Sequence, residues 1–173
     1  IDYWGEVLDE KPDVAIIANP TSFHLEYVLK LLPLLKGIFV EKPLSHSMVG
    51  IDKLIKEAEK HKTVVFVGHN LMFHPVIKAI KQFIDANDLG NILNIQCQVG
   101  QWLPDWHPYE DFNQAYYARK DLGGGVALTL IHEIHMVVDL AGDPSEVAGM
   151  ASKSELLPLN VDVISDVMVR HLS

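Results

Sequence analysis

Two side chains in this sequence are placed to move a proton beside a ligand, Lys42 and His132. Lys42 follows the apolar run Ile38-Phe39-Val40 and precedes Pro43. A strand ending there delivers the lysine to the carboxyl edge of a sheet, where ligands gather in open α/β folds. An amine taken partly out of water gives up its proton more readily and can exchange it with a substrate hydroxyl. His132 suits a general base, because imidazole serves as acid and base near neutral pH.

Other groups surround these two in the chain. On a helix over about 125–140, Leu128, His132, His135 and Asp139 fall on one face at i, i+4, i+7 and i+11. Three polar residues on one stripe of an apolar helix predict a cavity lining, with Thr129 beside it. Asp139 or Glu133 is then left to orient the His132 ring. Gly123-Gly124-Gly125 before the helix would let a ligand approach the backbone closely. His132-Glu133-Ile134-His135, with His107 as a third ligand, is an alternative zinc-hydrolase reading. A zinc helix spaces its histidines at i and i+4, and here the second comes one residue early. No metal is therefore expected. The loop Asp105-Trp106-His107-Pro108-Tyr109 is a candidate sugar contact: Trp106 and Tyr109 can stack on pyranose C–H surfaces, and Asp105 and His107 can bond hydroxyls. Trp102 and Tyr117 are expected to pack.

The elements that must position these groups come in two kinds. Continuous apolar runs at Val14–Ala18, Ile38–Val40 and Val64–Val67 predict parallel strands buried on both faces. Between them, Leu25, Val28, Leu29 and Leu32 follow Thr21-Ser22 as a possible cap, and Ile51, Leu54, Ile55 and Ala58 follow Ser47. Strand, helix, strand, helix, strand reads as right-handed crossovers in a doubly wound sheet. Beyond Gly68 the pattern changes. Residues 93–99 alternate apolar and polar, and so do residues 161–170, with Val161, Val163, Val167 and Val169 on one side. That predicts an antiparallel sheet. A further helix is predicted from Pro75 to Ala86. Residues 100–122 read as a long aromatic loop. The fold class is α/β, a Rossmann-like parallel βαβ part over 1–69, followed by an α+β domain with a mainly antiparallel sheet over 70–173.

Composition excludes several classes. A formal net charge of −9 argues against nucleic acid and against a polybasic membrane contact. No apolar run reaches the ~18–20 residues that span a bilayer. Ile1–Glu6 lacks signal-peptide character, and a single cysteine, Cys97, fits a reducing compartment, so the expected location is the cytoplasm.

Several motifs in register resemble the Gfo/Idh/MocA family of NAD(P)-dependent oxidoreductases. They are Pro12-Asp13-Val14-Ala15-Ile16-Ile17-Ala18-Asn19-Pro20-Thr21 with His24, then Val40-Glu41-Lys42-Pro43-Leu44, Gly68-His69-Asn70 with Phe73-His74-Pro75, and Gly123-Gly124-Gly125 with His132-Glu133-Ile134. The resemblance implies hydride transfer between NAD or NADP and a hydroxyl or keto carbon of a sugar or sugar nucleotide. It implies Lys42 and His132 as catalytic residues, with the Lys42–Pro43 bond cis. Asn19, Pro20, Thr21, His24, Glu41, Lys42, Pro43 and Asn70 would face the cofactor. Lys42, Asp105, Trp106, His107, Tyr109, Thr129 and His132 would face the substrate. The stretch Leu103–Asp111 resembles a branch associated with bacterial surface-sugar biosynthesis. Many relatives carry Asp where this chain has Leu128, and no G-x-G-x-x-G occurs. The chain therefore reads as an internal piece of a longer enzyme, one that forms a dimer or tetramer. Lys42 and His132 are expected to face one cleft. A non-catalytic dinucleotide- or sugar-binding member is the alternative.

Overall fold

The computed structural model describes residues 9–171. Residues 1–8, read above for signal-peptide character, and 172–173 lie outside the described residues. Two compact units appear, one running to Gly68 and including Asp121–Gly123, the other formed by His69–Lys120 and the chain from Gly124 onward.

The first unit holds strand β1 (Val14–Ile17), helix α1 (Thr21–Leu31), strand β2 (Gly37–Val40), helix α2 (Ile51–His61) and strand β3 (Val64–Val67). The three strands pair in parallel in the order β1-β2-β3, with Ile16 opposite Phe39 and Phe39 opposite Phe66. Parity along the strands decides what is buried. Ile17, Ile38 and Val40 point to the face that Val28, Leu31 and Leu32 of α1 and Leu54 of α2 cover. Thr63 ties this core to the end of α1, its hydroxyl lying 2.7 Å from Leu32 O and 2.9 Å from Leu35 O.

Burial on both faces is corrected by the structure. Val14, Ile16, Val64 and Phe66 alternate with the core residues and are exposed, Ile16 at 75%. Both helices lie on one side of the sheet, and a continuous apolar run does not record which side is covered. The capping expectations also shift. Pro20, with φ −58° and ψ 144°, takes the cap position of α1, so Thr21 is the first helical residue and is buried. Helix α2 starts at Gly50, whose φ of 91° favours glycine, and the Ser47 hydroxyl instead accepts from Val49 N–H.

In the second unit, helix α3 (Pro75–Asp85) starts with proline in its first turn, and His74 Nδ1 caps Val76 N–H at 3.3 Å. The aromatic loop contains a single helical turn, α4 (Leu103–Trp106), and short 3₁₀ turns at Tyr116–Ala118 and Lys120–Leu122. The helix expected over 125–140 is two pieces, α5 (Val126–Thr129) and α6 (His132–Ala141), with a bend of 50° between their axes when α5 is extended back to Lys120. Leu130, at φ −102° and ψ 40°, leaves the helical region. Val126 N–H is anchored on Asp162 O, which fixes the direction of α5 separately from α6. Apolar periodicity runs through such a break without a mark, so Leu128 does not continue the stripe of His132, His135 and Asp139. No single helix among the described residues is long and apolar enough to cross a membrane.

Strands β4 (Pro144–Ser152) and β5 (Ile164–His171) form an antiparallel pair, Val147 opposite Val169 and Gly149 opposite Val167. The alternation at 161–170 thus becomes a strand only from Ile164. Val161 is buried ahead of it, and Asp162 spends its carbonyl on α5. The strand expected at 93–99 is absent, with Leu93 94% exposed. Alternation records which side chains share a face, but a strand also needs a backbone partner, and β4 and β5 pair with each other.

Candidate functional site

The carboxyl ends of β1 and β2 in the first unit gather most of the expected cofactor residues. The ladder extends just past the strands: Glu41 N–H donates to Ile17 O at 2.9 Å and Gly68 N–H to Val40 O at 2.8 Å. Lys42 follows, half-buried, and Pro43 is buried with the Lys42–Pro43 peptide cis. The Glu41 carboxylate folds back to accept from Lys42 N–H at 3.3 Å. Gly68 leaves room for the Phe39 ring beside this turn: a Cβ there would lie 2.8 Å from Phe39 Cζ and 3.5 Å from Glu41 Oε1.

The turn after β1 carries Asn19, Pro20 and Thr21. Here Asn19 Oδ1 and Ser22 Oγ are buried, and neither has a hydrogen-bond partner among the described residues. His24, expected against the cofactor, is placed differently. It is fully buried, with Nδ1 2.8 Å from Pro43 O and Nε2 2.8 Å from Asn19 O. Both ring nitrogens face protein carbonyls, so the side chain joins two turns and offers nothing to a ligand.

The glycines at 123–125 are also corrected. A Cβ on Gly123 would stand 2.9 Å from Thr21 Cβ and 3.1 Å from Ser22 N, and one on Gly124 would stand 2.5 Å from both the Tyr116 and Tyr117 carbonyl oxygens. The close approach that glycine permits is filled by protein, not left for a ligand.

In the second unit His132 begins α6, and Thr129 on α5 is buried. His69, just past β3, stacks face to face on His135 with centroids 3.7 Å apart, and meets His132 edge-on at 6.1 Å. Parallel rings at that separation aim their nitrogens side by side, not at one point. No group of three His, Cys, Asp or Glu is placed to hold a metal ion among the described residues. Asp139 is taken by Lys81, whose Nζ donates to its carboxylate at 3.0 Å and its carbonyl at 2.9 Å, tying α3 to α6. Its carboxylate is thus engaged by a lysine, which leaves the expected orienting role for His132 to other groups. Asn70 is exposed and opens the 3₁₀ turn Asn70–Phe73.

The aromatic loop assembles a polar-edged stack. Trp106 lies over His107 at 4.7 Å and against Tyr117 at 5.0 Å, and Tyr109 tilts onto His107 at 5.4 Å. Asp105 and Tyr109 are exposed, Tyr109 at 82%. Tyr117 is buried as expected, but Trp102, expected to pack, is half exposed because it caps the single turn α4. The Glu110 carboxylate organises the stack. Its Oε1 accepts from Tyr117 OH at 2.9 Å and lies 2.9 Å from His107 Nδ1, off the N–H axis. Burial first, and then that carboxylate, push the Tyr117 phenol up to about 12. His69 and Glu110 stand inside motifs quoted from the sequence, but neither is given a role there. The signals for them are the position of His69 right after Gly68 and the three-residue spacing from His107 to Glu110.

Comparison with known proteins places these features in context. The family model "Oxidoreductase family, NAD-binding Rossmann fold" matches residues 3–69, and "GFO/IDH/MocA C-terminal domain" matches residues 77–173. An inositol 2-dehydrogenase of Ralstonia nicotianae is 30% identical over 142 residues, which is 80% of this chain and 39% of that protein. A levoglucosan dehydrogenase in complex with NADH and levoglucosan superposes with TM-score 0.82 at 25% identity, covering 99% of this chain and 48% of that one. The WlbA dehydrogenase from Bordetella pertussis, in complex with NADH and UDP-GlcNAcA, shares the fold at TM-score 0.80 and 13% identity, covering 96% of this chain and 48% of that one. The chain thus spans about half the length of these solved relatives.

Proposed function

Because the chain belongs to the GFO/IDH/MocA oxidoreductase family, we propose that the protein carrying it moves a hydride between NAD or NADP and a hydroxyl-bearing carbon of a sugar, a cyclitol or a sugar nucleotide. The observation that carries this reading is Lys42, half-buried at the carboxyl end of a parallel strand and fixed between Glu41 and a buried Pro43. The turns that fit a dinucleotide are Asn19–Thr21 and Glu41–Pro43. Asn19 Oδ1 in the first turn and Ser22 Oγ just after it are buried without a hydrogen-bond partner among the described residues, and a polar ligand can satisfy them. Bound nicotinamide supplies the hydride acceptor or donor.

The residues of this chain handle the proton. The Lys42 amine donates a hydrogen bond to the reacting oxygen and holds the hydroxyl in place, which lowers the cost of charge developing on that oxygen. His132 is assigned as the general base that takes the hydroxyl proton during oxidation and returns it during reduction. Trp106 and Tyr109 offer ring faces to the C–H surface of a sugar, and Asp105 and His107 offer polar edges to its hydroxyls. The kinship with inositol and levoglucosan dehydrogenases supports a polyhydroxylated ring as substrate. The likeness of fold to a sugar-nucleotide dehydrogenase is compatible with a place in surface-sugar biosynthesis.

Cofactor-linked turnover by the whole purified protein tests this. With myo-inositol, xylose and a uridine diphosphate sugar offered with NAD or NADP, the expected outcome is reduction of the dinucleotide by at least one. His132→Ala should then lower kcat by about 10²–10⁴-fold, the usual contribution of a positioned general base. Tight dinucleotide binding without turnover on any sugar would favour the binding-protein alternative.

A further inference from the structure

We infer that His24 is a positioning residue that fixes the Lys42 turn by locking it to the turn after β1. The inference rests on the proposed role of Lys42 and adds to it a residue that touches neither ligand nor reacting atoms.

The geometry is specific. His24 lies in the second half of the first turns of α1, and its imidazole is wholly buried. One ring nitrogen reaches Pro43 O and the other reaches Asn19 O, each at 2.8 Å. These carbonyls belong to the two turns that end β1 and β2, and Pro43 is the residue bonded to Lys42. A backbone carbonyl accepts and cannot donate. An imidazole N–H on either nitrogen can be donated to one of these carbonyls, while the other nitrogen packs against the second. Among the described residues the ladder between β1 and β2 ends with Glu41 N–H to Ile17 O, ahead of the gap between the two turns. The His24 bridge spans that gap, and one rigid ring sets the distance between the turns.

The consequence is a division of labour at the sheet edge. The Lys42 side chain acts on the substrate, the turn after β1 meets the dinucleotide, and His24 keeps the two in register from below. Removing the bridge should loosen Lys42 without removing any group that contacts substrate. Its effect should then fall on kcat more than on KM, because a mispositioned group loses transition-state interactions first.

Three measurements on the whole protein decide it. Imidazole-selective NMR of the wild type should show a hydrogen-bonded ring N–H on His24 that exchanges slowly with solvent, and a freely exchanging ring would overturn the bridge. Hydrogen exchange in His24→Phe, which keeps a ring and removes both nitrogens, should rise at least tenfold at Glu41 and Lys42 while Ile38 and Phe39 in the ladder stay protected. Equal exchange at Glu41 and Lys42 in variant and wild type would overturn the positioning role, and neither of these readings needs turnover. Where the protein turns over, His24→Phe should lower kcat about 10–100-fold with KM for the sugar changed less than threefold. In the Lys42→Ala background the same substitution should cost kcat less than threefold. Full additivity of the two losses would show that His24 acts independently of Lys42 and contradict the inference. If wild-type protein shows the protected ring N–H, and His24→Phe the exchange pattern, but there is no turnover, the proposed enzymatic function fails and the bridge stands.

Discussion

The two units of this chain bury their residues in opposite styles. The first gathers eight apolar side chains, Ile17, Val28, Leu31, Leu32, Leu35, Ile38, Val40 and Leu54, into one cluster between a sheet face and two helices. Among the described residues the second holds no such cluster. Its buried positions are scattered, with Tyr117 and Ala118 under the aromatic loop and Leu157 and Val161 beside the β4–β5 pair, whose strand β4 is exposed along its whole length. Order in the second unit comes instead from point contacts: a glycine against a carbonyl, a carboxylate between rings, a lysine across two helices. A core tolerates gradual change, because many contacts share the load. Point contacts fail one at a time.

Substitutions can break or sharpen this contrast. The largest effect is expected at Gly124, where a Cβ would press on two backbone carbonyl oxygens at 2.5 Å. Gly124→Ala should destabilise the second unit by about 3 kcal/mol or more, the upper range for forcing atoms into a packed site. Hydrogen exchange should show the loss around Tyr116–Val126 while β1–β3 stay protected. Uniform loss in both units would mean that the contrast is false.

Leu32 is fully buried in the first unit. Leu32→Ala should cost about 2–5 kcal/mol by lost burial and the cavity left behind, read from denaturant unfolding. Here the effect should spread across β1, β2 and α1 and not stay local. Thr63→Val keeps the shape and removes a hydroxyl that sits between two carbonyls at the end of α1. The expected loss is about 1–2 kcal/mol, since the carbonyls become less well satisfied.

The smallest effect is a titration. Tyr117 is held neutral to about pH 12 by burial and by Glu110. A free tyrosine ionises near pH 10. The unfolded chain therefore releases this proton first, so the stabilisation it brings is complete below about pH 10 and is lost as pH rises toward 12. In a tyrosinate absorbance titration Tyr117 should be among the last of the five tyrosines to ionise. Glu110→Gln should bring its midpoint part of the way down, because burial, the larger cause, remains. No change would mean that the carboxylate does not hold the stack.

The same contrast explains what was legible in the sequence. The three parallel strands were readable to within a residue, because each is a short run of apolar residues on both of its faces, the covered one and the open one. The cis bond to Pro43 followed from the family resemblance, and the place of Lys42 just past β2 from the apolar run before it. That both helices cover one face was not legible, since Ile16 on the open side and Ile17 on the closed side are nearly the same residue type. In the second unit the failures have one origin. Alternation at 93–99 and the apolar stripe over 125–140 are properties of side chains, while pairing and helix continuity are decided by backbone partners far away in sequence. Asp162 anchoring Val126 is such a partner. β4, with Gly149 and small residues around it, carries too little pattern to be noticed. His24 was identified, but for the wrong partner, because a motif names a position and only coordinates show that both ring nitrogens end on carbonyls.

The proposed chemistry turns on the amine of residue 42, and the most direct measurement replaces it by a side chain of similar length without charge. In Lys42→Met of the whole protein, turnover of the accepted sugar should fall at least about 10²-fold, while dinucleotide affinity stays within about threefold of the wild type. Turnover within twofold of the wild type would contradict it.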